Sequence, residues 1–459
     1  MFDFVLKNGM VFYEDSFENL DLAITKEKIS AIGKNLQGKR EIDLSGKWIL
    51  PGAIDAHTHF SLPFAGAVSA DDFFSGTKAG AIGGVTTIID FLAQKDGEPV
   101  SASLKRRQGE ARDLAAVDYS FHACIGQFNE SVMAEMSKLA EMGLTSLKVF
   151  MAYRKAGLMQ DDYSLRKIMR ACNDCGIMLT VHAENGDLID RLIEEASNGS
   201  ELGIEKLPIT RPVITEVEAI RRLALFASET GCLTYVVHTS SGSGANEILS
   251  ARENGAPIIG ETCPQYLYLD DSLLVAPEGQ YFSCCPPIRN KKEQTDLWNG
   301  IKNGHLAVVA TDHCPFTRKD KDSWNGNIMQ LPMGLPGVET LPALVINGVF
   351  NKKLTLVKAL KAISENPAKL FGLYPEKGSL LPGTDADIMV FDPEYFWKIS
   401  ARELNMETDY SPYEGLTIRG KNIMTILRGS IVYSQNDGWQ GNKGGGKFLK
   451  RKKADHSFF

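Results

Sequence analysis

Histidines recur in this sequence at positions suited to metal binding. His57 and His59 form an H-x-H within the apolar run WILPGAIDAHTH, and residues i and i+2 of a strand point to the same face, so one ion can sit between the two rings. His182 closes IMLTVHAEN, His238 sits in LTYVVHTSS and Asp312 in LAVVATDHC, each at the end of a β-type run. Four imidazoles and a carboxylate are nitrogen and oxygen donors suited to zinc or a similar divalent ion. Five protein ligands exceed what one open catalytic zinc takes, which predicts two ions and a ligand shared between them. Lys148, which interrupts the apolar strand SLKVFMAY, is the candidate. Beside two dications a neutral amine is favoured over an ammonium, and it can add carbon dioxide to become an anionic, bidentate carbamate.

The runs that carry these residues belong to a larger pattern. Eight apolar β-type runs alternate with helical stretches: WILPGAIDAHTH, VTTIIDFL, DYSFHACIG, LTSLKVFMAY, IMLTVHAEN, LTYVVHTSS, APIIGETC and LAVVATDHC. Strand-then-helix order repeated eight times predicts an α/β fold, a closed (β/α)₈ TIM-like barrel over residues 52–374, with ligands at the C-terminal ends of its strands, where such barrels build active sites. A doubly wound open sheet fits the strand count, but the gathering of the histidines at strand ends favours the barrel. Residues 1–51 and 375–440 instead show short β runs and turn residues, which predicts a β-sandwich domain built from both chain ends. Residues 441–459 form a tail whose basic stretch GGGKFLKRKK is expected to be solvated or to contact another subunit.

Composition narrows the class. The 459 residues include 43% hydrophobic and 23% charged side chains, as in soluble globular proteins, and no run of about 18 apolar residues predicts a membrane span. A net charge of −7 argues against nucleic acid as a general partner. The start MFDFVLKNGM lacks a basic segment followed by a long apolar one, and eight scattered cysteines fit free thiols, so a cytoplasmic location is expected. Cys172 and Cys175 form a C-x-x-C on a helical stretch with no second pair, which assigns them to structure. His122 and His305 are read as core or rim, His456 as part of the tail, and His313 and Asp90 as groups that support the site or a turn beside it.

The strings DAHTHF, SLKVFMAY, VHAEN, ETCPQYL, ATDHC and DYSPYEG, in this order and spacing, resemble those of the dihydropyrimidinase and D-hydantoinase family, from about residue 3 to the basic tail. The resemblance implies that His57 and His59 hold one metal and His182 and His238 the other. Lys148 would be the carboxylated bridge, and Asp312 both a ligand and the general base. Tyr153 would be the oxyanion partner. A hydroxide shared by the two ions would open a cyclic amide in a dihydropyrimidine or a 5-substituted hydantoin, giving an N-carbamoyl amino acid. Cys285 in SCCPPIR stands where the family commonly has a substrate-contacting Ser, and Met333 in PMGLPG where it often has Asn, whose contact is through the backbone. A homotetramer is a further implication of the resemblance. MGLPGVET is also similar to dihydroorotases, yet no cation follows His59 to pair with a ring carboxylate. Allantoinase shares the lysine and histidine pattern and is the nearer alternative. Scaffold proteins of the collapsin response mediator type share the architecture without the ligands, whereas all six ligand positions here hold competent residues.

Overall fold

The computed structural model describes residues 1–95, 97–126, 128–197 and 201–454, so His456 lies outside the described residues. Eight parallel strands form one sheet in chain order: Ala53–Thr58, Val85–Ala93, Asp118–Cys124, Ser146–Phe150, Met178–His182, Thr234–Val236, Ile258–Thr262 and Leu306–Val309. The first and eighth strands share no ladder. They meet through a single bridge between Thr58 and His313, with His59 N–H donating to the His313 carbonyl at 2.8 Å and His313 N–H donating to that of His57 at 3.3 Å. The residues that flank the candidate ligands thus form the closing seam, and the open doubly wound alternative is set aside.

Helices cover the outer face, so a strand such as Met178–His182 is buried at every position. Local chemistry fixes helix ends. Asp72 forms a capping box ahead of Phe73–Gly83, and Asp161 caps Asp162–Cys175, which stops at Gly176 in the left-handed region (φ +66°). Cys172 is buried on that helix, and all eight cysteines are free. Among the described residues no helix is long and apolar enough to cross a membrane.

Both chain ends build a second, mostly antiparallel sheet. The run WILPGAIDAHTH reads as one strand but divides at Gly52, where a Cβ would lie 2.2 Å from Thr86 Oγ1. Its first part, Trp48–Pro51, leaves the barrel and pairs on one side with the N-terminal strand Phe2–Tyr13 and on the other with Ile388–Lys398. This strand joins the two ends of the chain into one sheet, which folds over a core that includes Leu6, Leu22, Ile49, Ile388, Val390 and Ile426.

The basic C-terminal segment differs from expectation. Instead of lying in solvent, it runs along the third barrel strand. Tyr119 N–H donates to the Lys447 carbonyl at 3.0 Å, and Leu449 N–H donates to that of Tyr119 at 2.7 Å. The Phe448 ring stacks on Phe121, and Arg451, 3% exposed, donates to the hydroxyls of Ser120 (3.0 Å) and Ser146 (2.8 Å). Phe448 and Leu449 interrupt the cations of this segment and pack inward, so the chain is held to the barrel while Lys447, Lys450, Lys452 and Lys453 stay exposed.

Candidate metal centre

His57 and His59 emerge from the end of the first strand, one buried and one half-exposed. Asp312 follows the eighth strand with a left-handed backbone (φ +50°), a conformation costly for a residue with a Cβ and one that gathers at functional sites. Its Oδ1 lies 3.2 Å from His57 Nε2 and 3.1 Å from His59 Nε2. On the far side of His57, Glu261 Oε1 stands 2.7 Å from Nδ1, so that nitrogen carries a proton and Nε2 is the atom turned towards Asp312.

The second half of the site repeats this logic. His182 ends the fifth strand, and its Nε2 lies 2.8 Å from Glu184 Oε2, which assigns the proton to Nε2. The unprotonated Nδ1 then faces His238 Nε2 at 3.0 Å. His238 also has a left-handed backbone (φ +37°), and its Nδ1 is buried without a hydrogen-bond partner among the described residues. The His57 and His238 rings are 5.5 Å apart, so the two halves adjoin.

Lys148, 2% exposed, points its Nζ over the rings of Phe91 and Phe150, 5.3 Å from each. Burial pushes its amine down to about 8, against the opposing pull of Asp312. Burial likewise lowers His59 and His182, and lowers His238 further with help from the neighbouring His182 and Lys148. Asp312 goes the other way: burial would raise its carboxyl, but His57, His59 and Lys148 outweigh it and hold it below the usual range. Imidazoles made less basic by burial at His59, His182 and His238, an ionised Asp312 carboxylate and a Lys148 amine shifted towards its neutral form are the donor set a divalent cation requires. Nitrogen and carboxylate donors gathered within about 3 Å of their neighbours at the barrel mouth, His238 Nδ1 buried without a partner among them, have the chemistry to hold divalent ions, so these residues fit a metal pair.

Beside this cluster opens a cavity of about 210 Å³. Tyr153, Arg211, Cys285 and Met333 are among its polar and sulfur-bearing lining, and Phe64, Ile189, Leu207 and Leu331 among its apolar lining. The Tyr153 ring centroid is 4.9 Å from that of His182, and the Arg211 guanidinium lies over the tyrosine ring at 5.1 Å. Burial raises the Tyr153 phenol well above its ordinary value, so it is a donor at neutral pH. Cys285 Sγ touches Met333 Sδ at 3.0 Å. The six candidate ligands thus gather at the barrel mouth, where His57, His59 and Asp312 are close enough to share an ion, and Tyr153, Cys285 and Met333 line the adjoining cavity.

Sequence reasoning gave no role to the carboxylates that orient the imidazoles. Glu261 bonds His57, accepts the His238 backbone N–H at 2.9 Å and accepts the Tyr235 hydroxyl at 2.8 Å. Glu184 joins His182 to Arg211, and although burial opposes ionisation the adjacent guanidinium holds its carboxyl down at about 2. Both acids sit inside quoted strings, VHAEN and ETCPQYL, and an acid on or just past an apolar strand was the available signal. His313 supports the seam by binding Asp71 (3.1 Å) and accepting the Gly337 N–H (3.0 Å). His122 is a satisfied core residue, bonded to Ser146 and the Ala56 carbonyl. Asp90 holds the turn after the first strand through Phe60 N–H (2.9 Å) and pairs with Arg107 (2.6 Å).

Comparison with known proteins places this geometry. The amidohydrolase family matches residues 48–432. A D-hydantoinase of Geobacillus stearothermophilus is 39% identical over 456 residues, covering 98% of this chain and 96% of that protein. A D-phenylhydantoinase of Escherichia coli O9:H4 (strain HS) is 37% identical, covering 98% of each. The crystal structure of a dihydropyrimidinase from Brevibacillus agri NCHU1002 superposes with a TM-score of 0.96 at 37% identity, covering 98% of this chain and 99% of that one. With the barrel, its mouth and near full-length similarity in agreement, the chain belongs to the amidohydrolase family, in the branch that contains the dihydropyrimidinases and hydantoinases.

Proposed function

We propose that this protein hydrolyses the ring amide of dihydropyrimidines or 5-substituted hydantoins to N-carbamoyl amino acids, with two divalent ions, zinc in the first instance. The carrying observation is the convergence of imidazole nitrogens and the Asp312 carboxylate beside Lys148, at the edge of an apolar cavity. The named activities of the relatives support the substrate class. His57 and His59 would hold one ion and His182 and His238 the other, with N6-carboxylated Lys148 between them and Asp312 as a further ligand. Such a pair, when bound, supplies Lewis acidity that polarises the ring carbonyl and ionises water near neutral pH.

The remaining steps fall to the chain's own groups. Asp312, ionised and largely buried at the barrel mouth, accepts the proton of the attacking water and returns it to the leaving ring nitrogen. Tyr153 donates its hydroxyl to the carbonyl oxygen as negative charge develops there. Cys285 and the backbone at Met333 contact the ring, and the apolar lining receives the exocyclic substituent. The free state of all eight cysteines supports a cytoplasmic location, and the family resemblance supports a homotetramer, to be checked by light scattering.

Initial rates on dihydrouracil, 5-phenylhydantoin, hydantoin, allantoin and dihydroorotate, with divalent metal and bicarbonate added, test the proposal. Turnover of the first two above the last two is expected. Preference for allantoin or dihydroorotate would overturn the substrate assignment.

A further inference from the structure

Lys321 lies in the short helix Arg318–Asp322 and is fully buried. Lysine is almost never buried without a partner acid, yet no carboxylate is within ion-pair distance of it among the described residues. Its Nζ donates instead to Ser283, at 2.8 Å to the hydroxyl and 3.2 Å to the carbonyl. Burial pushes its amine down to about 7, against the opposing effect of the thiols of Cys284, Cys314 and Cys285.

The same Ser283 carbonyl accepts the Gly334 N–H at 3.0 Å. Gly334 has φ +153°, and a Cβ there would lie 2.3 Å from the Cys314 carbonyl oxygen, so this strand of backbone has little room to move. One acceptor therefore ties together two segments, one leading into Cys285 and the other directly following Met333. Those two side chains touch at 3.0 Å and form part of the cavity wall with Tyr153. A methionine at position 321 would fill the same space without the cost of burying an amine. What the amine adds is the pair of bonds to Ser283.

We infer that Lys321 is a positioning residue for substrate binding: through Ser283 it holds Cys285 and Met333 as one wall of the cavity beside Tyr153. The inference rests on reading that cavity as the substrate site. Lys321→Met should fold with the metal content of the wild type, raise KM for 5-phenylhydantoin about fivefold and leave kcat within about twofold. The alkylation rate of Cys285 by iodoacetamide, followed on its own peptide, should change by a comparable factor. Ser283→Ala, which loses the hydroxyl and keeps the carbonyl, should shift both readings less and in the same direction, and it decides the matter if Lys321→Met does not fold. Unchanged KM and unchanged Cys285 alkylation in both variants would overturn the inference. If the wild type opened none of the cyclic amides, the substrate reading would fail, and the alkylation comparison would still decide the role of Lys321.

Discussion

His182 Nδ1 stands 3.0 Å from His238 Nε2, while the other nitrogen of His182 is committed to Glu184 at 2.8 Å. Two buried rings from adjacent strands thus bring ring nitrogens to a common point. Elemental analysis of purified protein is expected to find close to two divalent ions per chain. Glu184→Gln, which disturbs the orientation of His182, should weaken metal binding by about 10- to 100-fold. A chain that purifies and reconstitutes without metal would remove the basis for the proposed chemistry.

As the proposed bridge, Lys148 has no side-chain hydrogen bond to lose among the described residues, only the rings of Phe91 and Phe150. Lys148→Ala should abolish most activity and at least part of the metal content, and short carboxylic acids should restore some of each by standing in for the carbamate. Full activity in this variant would exclude the bridging role.

Asp312 is the only carboxylate in contact with both His57 and His59 among the described residues. If it is the proton acceptor and donor proposed above, Asp312→Asn should lower kcat by about 10²- to 10⁴-fold. The melting temperature should not fall, because the left-handed turn tolerates Asn. A kcat within a few fold of wild type would assign proton transfer elsewhere.

Lys321 links stability to pH. Its amine titrates near 10.5 when unfolded and about 7 when folded, so between those values the unfolded chain binds the extra proton and stability rises with pH. The thiol of Cys284, raised by burial from 9.0 to about 12, acts in the opposite direction above pH 9. In the window from pH 7 to 9, wild type should therefore gain up to about 2–3 kcal/mol relative to Lys321→Met. Parallel urea midpoints for the two proteins would contradict this.

Phe448 stacks on Phe121 from the C-terminal segment. Phe448→Ala should cost about 1–3 kcal/mol, measurable as a lower urea midpoint, whereas a solvated tail would show no change.

The barrel and its six candidate ligands were legible because both depend on local spacing. Strand alternation put His57 and His59 on one face, and position at a strand end put His182, His238 and Asp312 at one rim whatever the loops did. The break at Gly52 falls on the boundary drawn between the sandwich and the barrel, but the run WILPGAIDAHTH, counted as a single barrel strand, did not itself show it, since an apolar run looks the same in either sheet. Charged residues were the least readable. Lys321 in TRKDKD and Arg451 in FLKRKK belong to runs that look solvated, yet both are buried, by Ser283 and by Ser120 and Ser146 respectively. A strand sets the direction of its side chains within a few residues, so the chemistry at the barrel mouth was written locally. Whether a cation meets water or a hydroxyl depends on segments tens to hundreds of positions away, and only the packed tertiary structure brings those together.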